Sequence, residues 1–208
     1  MEVTKMRIKG FSFSDGNSKM NRVGSFSLLP VKTCRPGVAC ATDGCYACKL
    51  VKLRPSVRKA YTDNTVALMN DNRYDEFIKA CDMFIDLNEF RLFRFCVSGD
   101  FYNTDFLLSC CTIAKHHPDV KFLGFTKQYE VASAVIAMGE VPSNFNIVFS
   151  AWNELVPENE KSVPMAYMDD GKHADLVPDY AVKCSGDCQH CQKCFNLKAG
   201  CAVKFAKH

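Results

Sequence analysis

The sequence predicts an α/β protein, either a partial (β/α) barrel or an open, mostly parallel sheet with crossover helices, carrying a cysteine-rich C-terminal tail. Three observations lead there. Strand-like and helix-like periods alternate from about residue 74 to residue 152, and parallel strands need such crossovers. The chain has 208 residues, short of the roughly 250 that eight barrel units take. Its last 25 residues hold four closely spaced cysteines and few apolar residues.

Each element has its own signal. Residues 5–30 read as two short strands around a turn: KMRIKGFSFS, the turn residues DGNSKMN, then VGSFSLLP. The stretch 34–48, rich in Gly, Pro and Asp, reads as a loop. Pro55 suits the first position of a helix over 55–70, with Val57, Tyr61, Leu68 and Met69 near one face. YDEFIKACDMFIDL is the clearest helix, its stripe running Tyr74, Phe77, Ile78, Cys81, Phe84, Ile85. RLFRFCVSG at 91–99 alternates as a strand. A helix at 104–116 follows, with Thr104 as its cap and Phe106, Leu107, Cys110 and Ala114 inward. Strands are expected at 121–127, 145–152 and 165–168, and a short helix at 129–138 ended by Gly139. This gives an α/β domain over 1–183 and a metal-binding tail over 184–208.

Composition narrows the function. Hydrophobic residues make up 48% and charged residues 24%, which describes a folded globular chain. The net charge of +3 is too small to argue for nucleic acid. MEVTKMRIKG lacks the apolar run of a signal peptide, and no window approaches a membrane span, so the expected place is a reducing cytoplasm. Thirteen cysteines there point to metal rather than disulfides. Outside the two groups, Cys81, Cys96, Cys110, Cys111 and Cys201 read mostly as small buried hydrophobes.

The first group is Cys34, Cys40, Cys45 and Cys48 in CRPGVACATDGCYAC. Thiolates are soft ligands for iron or zinc. The gaps of four and then two residues after Cys40 lie close to the three-then-two spacing of radical enzymes that use S-adenosylmethionine, which makes that molecule a candidate cofactor. The second group is Cys184, Cys188, Cys191 and Cys194 in KCSGDCQHCQKCF, with gaps of three, two and two. A common ferredoxin run has the reverse order. Zinc sites more often pair two distant doublets, so a 4Fe–4S cluster, one or two in all, fits better than zinc. His190 stands inside the group as an alternative zinc ligand or a solvated side chain.

The strand 91–99 should turn Phe93, Phe95 and Val97 to the helices and Arg94, Cys96 and Ser98 into a cleft. Asp100 and Tyr102 follow. The next strand ends in Thr126 and Lys127, and the one after in Ser150, Trp152 and Asn153. If the strands are parallel neighbours, these ends share one mouth. Ser98, Asp100, Tyr102 and Lys127 are the candidate catalytic residues, with Asp100 at the centre; Cys96 and Thr126 are candidate cofactor-binding positions. The competing reading makes Ser98–Asp100 a turn and Asp100 a helix cap.

These blocks in their order resemble the phage gene product 88 family, found in phages and bacteria. The resemblance rests on GNSKM at 16–20, SFSLLPVKTC at 25–34, CYACK at 45–49, PSVRKA at 55–60, Asn70, VSGDFYN at 97–103, HPDVKFLGFTK at 117–127, NFNIVFS at 144–150 and CSGDCQHCQKC. It implies pattern roles for Cys34, Cys40, Cys45, Ser98, Gly99, Asp100, Phe101, Tyr102, Thr126, Lys127 and the tail cysteines. Cys96 stands where members often carry histidine, and Cys48 is additional to three loop cysteines. The family is also distantly similar to phage proteins with radical-enzyme-like cysteine loops on α/β barrels. The expected function is thus an iron–sulfur protein, a small redox or radical catalyst acting on a small-molecule substrate or redox partner. The alternatives are a zinc-stabilised module binding nucleic acid or a host protein through basic stretches such as KLVKLRPSVRK at 49–59, and a non-catalytic electron carrier.

Overall fold

The computed structural model describes residues 5–16, 20, 22–41, 44–153 and 155–206. Much of the turn expected over DGNSKMN lies outside them. Nine strands form one sheet: β1 (Lys5–Ile8), β2 (Phe11–Ser14), β3 (Gly24–Phe26), β4 (Leu92–Phe95), β5 (Lys121–Thr126), β6 (Phe145–Ser150), β7 (Met165–Asp169), β8 (Val182–Lys183) and β9 (Ala202–Ala206), in the order β1-β2-β3-β4-β5-β6-β7-β9-β8. The pairings β1–β2 and β2–β3 are antiparallel and the other six parallel. The mostly parallel α/β sheet is therefore as expected. Its order runs one way from β1 to β7, and β1 and β8 are its edges, so the pairing is that of an open sheet and does not establish a barrel.

The N-terminal region holds three strands rather than two. Lys9 and Gly10 both have left-handed φ, 49° and 90°, and make the two-residue turn that folds KMRI back on FSFS. Helices α1 (Tyr46–Leu53), α2 (Pro55–Met69), α3 (Tyr74–Asn88), α4 (Thr104–His116), α5 (Tyr129–Ala137) and α6 (Cys188–Cys191) follow the expected places except for α1 and α6, which lie where cysteine spacing hides helical period. The cap of α4 is Asn103, whose Oδ1 accepts from the Phe106 N–H at 2.9 Å, and not Thr104.

The sheet is buried on both faces, as parallel sheets are. One face carries Phe93, Phe95, Phe122, Ile147 and Phe149 into a core shared with Phe77, Phe84, Phe106, Cys81 and Cys110 of α3 and α4. Phe95 and Phe122 stack with centroids 5.6 Å apart, a contact worth about 0.5–1.5 kcal/mol beyond burial. The opposite face carries Leu92, Leu123, Val148 and Val203, covered by Phe195, Leu197 and Cys194 of the tail. The tail ends in β9, which pairs with both β7 and β8.

β4 stops at Phe95, before the expected end at 99, and this changes which way side chains point. Cys96 takes φ +53°, which breaks the alternation. Cys96 is thereby buried in the helix-side core instead of sharing a polar face with Arg94, while Val97 packs on the tail side. Arg94 faces the tail, its guanidinium 4.8 Å from the centroid of Phe125.

Candidate functional site

Strands β3 to β7 are parallel neighbours, so the segments leaving their carboxyl ends gather at one rim. Open α/β sheets bind ligands there. The cysteine loop leaves β3, Ser98–Tyr102 leaves β4, Thr126–Gln128 leaves β5, Ser150–Asn153 leaves β6, and Asp170–His173 leaves β7. The mouth inferred from sequence is thus assembled, with different roles for its members.

Asp100 is buried, 5% exposed. Its Oδ1 accepts from the Thr126 hydroxyl at 2.6 Å and the Phe101 N–H at 2.8 Å, and its Oδ2 accepts from the Lys127 N–H at 2.8 Å. Its own N–H donates to Thr33 Oγ1 at 3.2 Å. Burial pushes its carboxyl above the usual carboxylate range, against these three donors and the nearby Lys127 charge. Asp100 so ties the ends of β4 and β5 to the root of the cysteine loop. Ser98 is part of the same lock: its hydroxyl donates to the Leu28 carbonyl at 2.9 Å. Gly99 between them has φ +78°, and a Cβ there would meet Thr33 Oγ1 at 2.5 Å and Leu28 Cβ at 2.7 Å; only glycine fits.

The Lys127 ammonium turns away from Asp100. It donates to Ser150 Oγ at 2.9 Å and lies 5.5 Å from the centroid of the Trp152 ring. Tyr102 faces the helices, its hydroxyl 3.1 Å from that of Tyr74 and its ring stacked on Phe106. The rim also contains residues not singled out from sequence. Gln128 Nε2 donates to the Thr33 carbonyl at 3.3 Å. Tyr129 donates to the Ser150 carbonyl at 2.6 Å, and Arg35 lies 5.5 Å over the Tyr129 ring. His173 Nδ1 is 2.9 Å from Asp170 Oδ2. Nothing in a lone Arg35 or His173 marked them; only the sheet order brings them together.

The loop thiols hang over this rim. Burial pushes Cys34 up to about 12, against the Val31 N–H that bonds its sulfur; the Asp100 charge raises it further. Burial raises Cys40 too, and Lys127 lowers it. Cys48 is pushed up to about 11 by burial and by its bond with Cys45. Cys40 therefore senses both Asp100 and Lys127.

The tail thiols stand on the sheet's other face. Cys184, Cys188, Cys191 and Cys194 all line one cavity of about 40 Å³, together with Arg94, Phe125 and Phe205. The Arg94 Nε is buried without a partner, and Nη1 has only the Met20 sulfur at 3.7 Å. Asp187 lines the same cavity, but among the described residues no ion pair joins a carboxylate to Arg94. His190 turns to Asp187 at 2.7 Å and is 76% exposed, the solvated alternative. As placed, no three Cys, His, Asp or Glu side chains among the described residues stand close enough to one point to grip an ion. The donor chemistry still suits a thiolate-held centre: four soft ligands line one small cavity with a half-buried guanidinium whose Nε has no partner.

Fold and site together define an α/β protein with a cysteine loop over the carboxyl ends of its parallel strands and a cysteine tail on one face. The sequence pattern described as Gene product 88 matches residues 4–204, and the chain belongs to that family. It is 28% identical over 175 residues to the Gene 88 protein of Mycobacterium phage L5, covering 74% of this chain and 69% of that one. It is also 28% identical over 171 residues to the Gene 88 protein of Mycobacterium phage D29, with the same shares covered. No solved structure matches it. Among the described residues no helix is long and apolar enough to cross a membrane.

Proposed function

We propose that this chain is an iron–sulfur protein with a small-molecule site at its rim. In this reading the tail cysteines Cys184, Cys188, Cys191 and Cys194 hold one 4Fe–4S cluster. Cys34, Cys40 and Cys45, with Cys48 in reach, hold a second. Such a cluster supplies one-electron redox chemistry when bound, and S-adenosylmethionine is the candidate partner molecule for the loop centre. The single observation that carries the reading is the tail cavity, which four thiols line together with a half-buried Arg94 whose Nε is buried without a partner. A guanidinium N–H shielded from water favours a neighbouring anion, and thiolate-ligated clusters are anionic.

The rim residues divide into holders and reactants. Asp100, Ser98 and Thr126 have their hydrogen bonds taken up by the fold and set the loop's position. Lys127 is the charged side chain poised to meet a substrate, since among the described residues its ammonium is held by Ser150 and the Trp152 face. Tyr102 packs on the helix side against Tyr74 and Phe106, and Cys96 is buried in the helix-side core beneath the rim.

Two multiple variants test the arrangement after anaerobic purification. Replacing Cys34, Cys40 and Cys45 by Ala should remove one cluster and its electron paramagnetic resonance signal, and leave the tail signal. Replacing the four tail cysteines should do the reverse. Loss of all iron from either variant means one shared centre and contradicts the two-centre reading; unchanged iron in both contradicts cysteine ligation altogether.

A further inference from the structure

At the rim, beside the cysteine loop, lies a cavity of about 330 Å³, inside the roughly 300–1,000 Å³ range of small-molecule pockets. One wall is the segment Arg35–Ala39, the five residues that separate Cys34 from Cys40; the others are Trp152, Asn153, Leu155 and His173. Two of these end in buried polar atoms with no hydrogen-bond partner, Trp152 Nε1 and Asn153 Oδ1. Buried polar groups in folded proteins are nearly always paired, so two orphans in one cavity wall ask for a ligand. An indole N–H can only donate. The Asn153 amide can turn over and donate as well.

Two cationic side chains stand at the cavity. Arg35 lines it, and Lys127 lies 5.5 Å from the Trp152 ring centroid. His173 has Nδ1 committed to Asp170, which leaves Nε2 for a ligand. Among the described residues two acids touch this set: Asp170 on His173, and Glu130, 2.6 Å from Arg35 with a side chain 70% exposed. A water-screened pair of that kind is weak and readily exchanged.

We propose that this cavity binds a small acceptor-rich anion, a molecule bearing a carboxylate or a phosphate, with Trp152 Nε1 and Arg35 as its principal donors. This names the substrate class of the rim site and rests on that reading for its meaning, but binding itself needs no metal. The experiment separates the two. Trp152 is the single tryptophan of the chain, so its fluorescence reports the cavity directly. The full-length protein is titrated with inorganic phosphate and with succinate, ionic strength held constant with chloride. The expected result is a saturable change with one or both; phosphate alone or succinate alone assigns the headgroup. Arg35→Gln should weaken that binding at least ten-fold, and Glu130→Gln, which releases Arg35, should strengthen it. No saturable change with either anion at millimolar concentration overturns the proposal, as does binding that both variants leave unchanged. Iron that stays bound while anion binding fails would sink the pocket alone. Anion binding without any iron would sink the cluster reading alone.

Discussion

Asp100 and Lys127 meet through the backbone: Asp100 Oδ2 accepts from the Lys127 N–H at 2.8 Å, while the Lys127 ammonium donates to Ser150 Oγ at 2.9 Å. The pair so often imagined at a strand end, carboxylate against ammonium, is here a clamp on one side and a presented cation on the other. The clamp fixes adjacent strand ends; the cation points across the rim toward Trp152.

Asp100→Asn loses one carboxylate acceptor from a buried set of three bonds. It should destabilise the protein by about 1–3 kcal/mol at neutral pH, read from urea unfolding. Burial raises the Asp100 pKa, so its stability contribution is fullest below the ordinary carboxylate value and is lost as pH rises through the folded-state pKa. The penalty for Asp100→Asn should therefore grow as pH falls from neutral toward the ordinary carboxylate value, about 4. A penalty that shrinks over that range contradicts the assignment.

Gly99→Ala places a Cβ at 2.5 Å from Thr33 Oγ1 on a residue at φ +78°. The left-handed backbone costs roughly 1–2 kcal/mol and the overpacking roughly 1–3 more. Thermal unfolding should show a clear loss. A neutral variant would mean that Ser98–Asp100 does not lock the cysteine loop to β4.

Arg94→Met separates the loaded from the empty protein. Without metal the variant should stay within about 1 kcal/mol of the parent, because losing the Phe125 contact is offset by removing a half-buried guanidinium whose Nε has no partner. With metal it should release iron from the tail faster than the parent under a chelator. Equal release rates would show that Arg94 does not face an anionic centre.

Cys191→Ser tests the tail. Metal ligation and local folding are coupled, and the tail has little core of its own beyond Phe195 and Leu197. The variant should lose one centre and become protease-sensitive between residues 184 and 200. Full metal content with parental resistance would remove the tail from the metal chemistry.

Much of this was legible in the sequence because the signals were periodic. α3 and α4 show apolar stripes, and Phe77, Cys81, Phe84, Phe106, Leu107 and Cys110 are all buried where the stripes put them. The parallel pairing of β4, β5 and β6 followed from alternation with helices, whereas β7 joins the sheet after a connection that carries no helix. The signal failed where one backbone angle decided the outcome. Alternation past Phe95 assigned Cys96 to the cleft, and a single left-handed residue reversed it. α1 and the tail were hidden because cysteines spaced for ligation carry no helical period. Arg35, Tyr129 and His173 reach the rim only through the order of the strands, which no local window contains.

Metal analysis of protein purified without oxygen from iron-fed cells decides between an iron–sulfur cluster and zinc. Iron together with acid-labile sulfide at cluster stoichiometry, in a brown protein with thiolate-to-iron absorption, is the expected result. Stoichiometric zinc without sulfide would contradict it.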